Sequence, residues 1–390
     1  MEAFTIDFTE QILLAATGLL CIIQLAYYLG LYSRIHRRRR ALDKGKIDFS
    51  SELPPLSVII CAHNEEEQLR QNLTAVLEQD YPQFEVIVIT DGNADCSEDY
   101  LKSLEERYRH LYHSFVPESS RYISRRKLAA TLGIRASKYE WLVFTEAACR
   151  PQSNQWLQRM ARNFTPQTSV VLGYSGYERG KGWLQQRVSY DNLFTSMRYL
   201  GAALAGHPYM GLGRNMAYRK ELFYQQKGFA EHLNLQRGYD DLFINRVANR
   251  RNTRVEIDAQ ARTNRMPMKR AKDWREEKIG YASTARLYRG WQRWNMGFET
   301  TTRLCFLAGW TATLVVGVIH AHWLVAAGAT GTALLRFGVQ AYVVSRTARD
   351  LDEPRRYVGL LPLFDVLQPL QSLRWKLMCL FRKKSDFLRK

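Results

Sequence analysis

The sequence predicts an α/β layer fold with a mostly parallel sheet, joined to helices that cross a membrane. Short apolar runs at residues 57–61, 86–90 and 141–144 have the length of buried strands, and each is followed within a few residues by a carboxylate. Stretches of helical spacing separate them, which is the alternation expected of strands laid parallel. Long uncharged stretches lie on both sides of this region.

The first unit sets the pattern. Between the strands at 57–61 and 86–90, Leu69, Leu73, Val76 and Leu77 recur at helical intervals, closed by Tyr81 and Pro82. Strand, helix and parallel strand bring both carboxyl ends to one edge of the sheet, where ligands of such folds bind. His63, Asn64 and Glu65 stand at the first end and Asp91, with residues 92–95, at the second. Polar groups of this kind suit a ligand with hydroxyls and amides, such as a nucleoside.

The chain has 390 residues and a formal net charge of +18. Residues 34–46 hold seven Lys or Arg against one Asp, and residues 374–390 again seven against one. Both segments flank apolar stretches, so membrane topology explains the charge and no nucleic-acid partner is expected. Six scattered cysteines without CxxC spacing fit a reducing compartment better than a disulfide framework or a zinc site.

In chain order, residues 12–32 carry no charge and can span a bilayer. Acidic residues precede this stretch and arginines follow it, the reverse of a signal peptide, so the amino terminus is expected outside and the remainder cytoplasmic. A polar linker ends at Pro54 and Pro55. Beyond the first unit come a helix near 99–110, a strand near 112–116, a helix over 128–136 after Arg125, Arg126 and Lys127, and a strand ending at Glu146. A strand at 170–174 and an aromatic-rich helix over 183–204 follow.

Gly211 and Gly213 form a glycine pair, and Asp240 and Asp241 open a further helix, a place where carboxylates ordinarily serve as caps. Residues 274–294 are basic and aromatic, as in segments lying on a membrane surface. Residues 304–319 and 323–345 read as a transmembrane hairpin, although Arg336 at its centre costs about 2.5–3.5 kcal/mol. The stretch 357–373, with Pro362, Asp365 and Pro369, reads as interfacial or re-entrant. The resulting division is a membrane helix (1–33), a basic linker (34–53), the α/β domain (54–273), an interfacial segment (274–303), the hairpin (304–345), and an interfacial helix with a basic tail (346–390).

Four segments, SVIICAHNEE, VITDGNADCSED, SRRKLAATLGIRASKYEWLVFTEAACRP and GYDDLF, in this order and spacing, resemble the membrane-bound family 2 glycosyltransferases, whose catalytic domain has the GT-A fold, a Rossmann-like mixed sheet. The resemblance covers about residues 54–260. It implies an inverting transfer of a sugar from a nucleotide-diphosphate sugar to an acceptor hydroxyl, assisted by a divalent metal, Mg²⁺ or Mn²⁺. By the same resemblance Asp240 is the base, with Asp241 beside it. Asn64, Glu65 and Asp91 hold the nucleoside, Lys127 or Arg126 reaches the diphosphate, and Gly211 and Gly213 lie near the donor sugar.

Glu146 matches the first carboxylate of the family's metal-binding pair, but Ala148 stands where the second belongs. Tyr239 stands where an acid usually precedes the base, and the Gln-x-x-Arg-Trp signature of processive synthases is absent. The missing processive signature and the few crossings imply addition of one sugar per encounter, and the three expected crossings with the basic-aromatic stretch point to a glycan or lipid-linked acceptor of the cell envelope and a multi-pass protein of the plasma (inner) membrane. They leave open a weakened, membrane-tethered nucleotide-sugar binder or scaffold.

Overall fold

The long strands are built largely from β-branched and other apolar residues, and their alternation assigns each side chain to a face. The computed structural model describes residues 7–91, 97–117, 124–233, 235–355 and 357–381. The loop 92–95, Cys96 and the basic tail from 382 lie outside the described residues.

The chain begins with α1 (Phe8–Ala26), a π-helical turn (Tyr27–Tyr32) and α2 (Arg34–Asp43). The soluble region then runs β1 (Leu56–Ala62), α3 (Glu66–Leu77), β2 (Phe84–Thr90), α4 (Ser97–Arg107), β3 (Leu111–Phe115), α5 (Arg125–Ala136), β4 (Trp141–Glu146), β5 (Cys149–Pro151) and α6 (Trp156–Ala161). It continues through β6 (Val170–Leu172), β7 (Ser175–Tyr177), α7 (Trp183–Leu204), β8 (Met216–Arg219), α8 (Lys220–Gln225), α9 (Asp241–Val247), β9 (Thr253–Val255), β10 (Thr263–Arg265) and α10 (Ala271–Ala285). Three long helices close the chain, α11 (Gln292–Ile319), α12 (Trp323–Asp350) and α13 (Leu361–Phe381).

Among the described residues the main sheet has seven strands in the order β3-β2-β1-β4-β8-β6-β9. β1 is central and parallel to both neighbours, with Ile59 opposite Ile87 and Phe144. Only β8 runs against its neighbours β4 and β6. It follows the glycine pair directly, where the sequence showed no apolar run long enough to mark a strand. A smaller sheet, β5-β10-β7, lies beside it.

Alternate residues of β1 face opposite ways. Val58 and Ile60 join Leu69, Leu73 and Val76 of α3 in one core layer. Ile59 joins Phe144, Tyr218 and the α7 residues Phe194 and Leu200 in the other, which also takes in Tyr28, Tyr32 and Ile35 from the first helix. The π-helical turn and the start of α2 are therefore part of the domain's own core.

Among the described residues two helices are long and apolar enough to cross a membrane, Phe8–Asp43 and Gln292–Ile319. α12 packs against both, but its small residues and Arg336 lower its hydropathy, so the expected third crossing is less apolar than the other two. Leu19, Ile22, Val315, Val318, Ile319, Leu324 and Leu334 present exposed apolar side chains on this bundle. Polar groups turn inward and find partners. Gln24, the one interruption of the first apolar stretch, donates to Thr302 Oγ1 at 2.9 Å. Arg336 is paired with Asp365 of α13 at 2.6 Å, which offsets the cost of its burial.

The segment 274–303 differs from a continuous surface-lying stretch. Trp291 and Trp294 are exposed, but Trp274, Ile279 and Tyr288 are buried. Their side chains turn toward the domain because α10 packs against α9 and α13.

Candidate active site

β1 and β2 end side by side at a cavity of about 270 Å³ lined by His63, Glu65, Asp91, Arg125, Arg126 and Arg237, among others. The parallel register places Ala62 opposite Thr90, so the residues that follow, Glu65 and Asp91, reach the same edge. Asn64 makes the turn between β1 and α3 with φ +51°, a left-handed conformation that asparagine tolerates better than most residues.

The amino terminus of α5 supplies the cations. Arg125 bonds the Asp91 carboxylate, and the His63 ring approaches that carboxylate to 3.4 Å. Burial pushes the Asp91 carboxyl up, but the bonds from His63 and Arg125 outweigh it and hold it below the ordinary value. Burial raises Glu65 despite the pull of Arg126.

Deeper in, Arg126 donates to Glu146 Oε1 at 2.6 Å and lies 5.1 Å from the centre of the Tyr239 ring. Tyr239 Oη approaches the same carboxylate oxygen at 3.4 Å. Arg214 reaches Glu146 Oε2 at 3.5 Å and Arg265 at 3.9 Å. Both of these arginines also pair with Glu277 of α10 at 2.5 Å. Burial pushes the Glu146 carboxyl up, but Arg126, Arg265 and Arg214 together hold it down at about 2. Three guanidiniums thus share two carboxylates. Nε of Arg126 is buried without a hydrogen-bond partner, as expected of a cation that an anionic ligand completes.

Asp240 is 1% exposed. Its Oδ2 accepts from the Gly213 backbone N–H at 3.1 Å and from Tyr281 Oη at 3.0 Å. It adjoins Tyr239, whose hydroxyl approaches Glu146, but it is not among the residues that line the cavity at the ends of β1 and β2.

The remaining expected site residues are placed elsewhere. Lys127 is fully buried and donates to the His232 carbonyl; burial lowers its ammonium to about 8. One residue along the helix turns the side chain about 100° away, so Arg126 enters the cavity and Lys127 does not. Asp241 is fully buried and accepts from Thr284 and, at 2.8 Å, from Tyr288 Oη. Burial and the neighbouring Asp240 raise its carboxyl; it fastens α9 to α10 and is not positioned to bind substrate. A Cβ on Gly211 would meet Leu172 and Ile244, so that glycine serves packing. A Cβ on Gly213 would collide with the Tyr239 hydroxyl, so this glycine admits the tyrosine against Glu146.

The metal expected on Glu146 does not fit this donor set. Divalent magnesium or manganese seeks several oxygen ligands, whereas Glu146 has arginine on both oxygens and Ala148 adds none. Among the described residues the cluster able to ligate a metal lies elsewhere. Arg214, Arg265, Glu277 and Tyr281 were missed in the sequence because no spacing links residues so far apart to Glu146.

A mostly parallel sheet with a polar cavity at its carboxyl edge, lined by Glu65 and Asp91 and by arginines, defines an α/β fold with a ligand-sized cleft at its strand ends. Residues 57–226 match the family described as Glycosyl transferase family 2. Over these residues the chain is similar to family 2 glycosyltransferase domains.

It is 32% identical over 112 residues, 28% of this chain and 35% of that protein, to glycosyltransferase AglE of Haloferax volcanii. It is 42% identical over 59 residues, 15% of this chain and 14% of that protein, to the probable glycosyltransferase YdaM of Bacillus subtilis. The chain thus spans about a third or less of the length of these curated relatives. A mannosyltransferase of Pyrobaculum calidifontis, solved in complex with GDP-Man and Mn²⁺, has a similar fold with a TM-score of 0.55 and 17% identity, covering 90% of this chain and 99% of that one.

Proposed function

We propose that the protein transfers a sugar from a nucleotide-diphosphate donor to an acceptor hydroxyl, with inversion. The observation that carries this reading is the convergence of Glu65, Asp91, Arg125 and Arg126 on one cavity at the ends of β1 and β2, inside the matched domain. Asp91 and Glu65 take the nucleoside hydroxyls and base. Arg126, whose Nε lacks a partner, meets the diphosphate, with Arg214 and Arg265 behind it. Guanidiniums match phosphate oxygens in pairs, and in a water-poor site they offset the charge that grows on the leaving group.

Inversion is a single displacement. One carboxylate takes the acceptor proton on the face opposite the leaving diphosphate, and Asp240 has that role. Tyr281 covers it from α10, so the acceptor reaches Asp240 as this tyrosine gives way. The exposed apolar faces of α1 and α11 favour a membrane-held enzyme acting on a lipid-linked or other membrane-associated glycan at the cytoplasmic side.

The test is a screen of the detergent-solubilised chain against nucleotide sugars, GDP-mannose among them, with Asp240→Asn as control. Removing a general base costs about 10²–10⁴-fold in rate. Equal turnover by the variant would remove Asp240 from the mechanism. Donor binding without turnover by the parent would favour a tethered nucleotide-sugar binder.

A further inference from the structure

A second polar cluster lies at the far end of the helix bundle. Glu10, in the first turn of α1, is fully buried. Its Oε1 is 2.9 Å from His320 Nδ1 and its Oε2 is 2.6 Å from His322 Nδ1, both in the turn between α11 and α12. The ligand atoms of the three residues lie within 4.8 Å of one another. Glu10 also accepts from the Asp7 backbone N–H at 3.2 Å, completing a helix cap. A cap requires only that one bond and leaves such a carboxylate free to stay in water. Gln24, fourteen positions along α1, bonds Thr302 in the middle of α11, so the cluster stands roughly 20 Å further from the sheet than that contact.

The backbone is shaped to bring the imidazoles together. Two histidines separated by one residue ordinarily diverge. Here Ala321 between them has φ +56°, a conformation unfavourable for a residue with a Cβ. The turn thereby aims both Nδ1 atoms at one carboxylate. The rings are 82° apart with centroids at 6.0 Å, so they are not stacked on each other. They meet edge to face, and both reach Glu10.

We infer that Glu10, His320 and His322 form a binding site for a transition-metal dication of the zinc type. Two neutral imidazoles and one carboxylate are a recurrent zinc donor set, with water completing a tetrahedron. Imidazole nitrogen selects zinc, copper or nickel over magnesium and calcium, which prefer oxygen alone. Ligands about 2.1 Å from zinc stand roughly 3.4 Å apart. The present separations of 2.6 and 2.9 Å need to widen by roughly 0.5–0.8 Å to reach that spacing, a shift that side-chain rotation of the two histidines can supply. The ion would pin the start of α1 to the α11–α12 turn, closing the bundle at the end remote from the transferase site.

The full chain, purified in detergent without chelator and dialysed, is titrated with Zn²⁺ against a chromophoric competitor, and its thermal unfolding is followed with Zn²⁺ or Mg²⁺ added. One equivalent binds, at a dissociation constant below about 1 μM, and a hundredfold excess over that constant stabilises the chain by about 2.7 kcal/mol; Mg²⁺ does neither. His320→Ala, which removes the more exposed ring, weakens zinc at least tenfold, and the double change His320→Ala with His322→Ala abolishes it. Should the double variant fail to fold, the single variant decides. No bound zinc in the parent, zinc retained in His320→Ala at parental affinity, or stabilisation by Mg²⁺ alike would overturn the site and leave a hydrogen-bonded clasp only.

Discussion

Removing the guanidinium of Arg126 leaves Glu146 without its shortest ion pair and the cavity without a cation aimed into it. Arg126→Ala therefore raises KM for the nucleotide-sugar donor by about tenfold or more, the scale of one charge-assisted bond. Because arginines occupy both oxygens of Glu146, a chelator such as EDTA leaves the rate unchanged. Activity that vanished in EDTA and returned with Mn²⁺ would restore Glu146 as a metal ligand.

Glu146 also sets an acid limit. Its carboxyl titrates near 2 in the folded protein against an ordinary 4.5. The stability this pairing contributes is complete above about pH 4.5 and is lost as pH falls toward 2. Glu146→Gln flattens the pH dependence of unfolding across that window, as read by thermal melts at stepped pH. These effects follow from side-chain neighbours that no local pattern in the sequence announces.

At the scale of elements, the site depends on how α9 and α10 are clamped to the glycine-containing loop before β8. Gly213 yields its N–H to Asp240 and its missing side chain to Tyr239. Gly213→Ala pushes Tyr239 off Glu146 and disturbs Asp240, at about 1–3 kcal/mol of overpacking. The expected result is a fall in kcat larger than the loss of thermal stability implies, with Gly211→Ala showing the reverse balance, since Gly211 faces packing residues alone. The apolar runs of β1, β2 and β4 and the periodicity of α3 were readable in sequence, because burial on both faces leaves long aliphatic stretches. The strand β8 was not. It has four residues beside a turn, and its strand character comes from pairing with β4 and β6.

On the scale of the whole molecule, the amino-terminal apolar helix and the α/β domain share one core. Tyr28, Tyr32 and Ile35 pack among residues of α7 and the main sheet. A chain lacking residues 1–50 is accordingly expected to aggregate or to melt well below the full chain, in detergent or without it. A truncated chain that stayed monomeric and kept the parental melting temperature would show the two parts to be separable.

The sequence by itself determined the parallel α/β layer, the acidic ends of its strands and the apolar stretches of α1 and α11. Each of these is a local pattern of burial, written in contiguous residues. Only the tertiary structure decided that Arg126 and not Lys127 faces the cavity, that arginines surround Glu146, that Tyr281 covers Asp240, and that Asp365 neutralises Arg336. Those outcomes depend on electrostatic partners brought together from distant parts of the chain, and the spacing of residues along a polymer carries no record of which charges will meet.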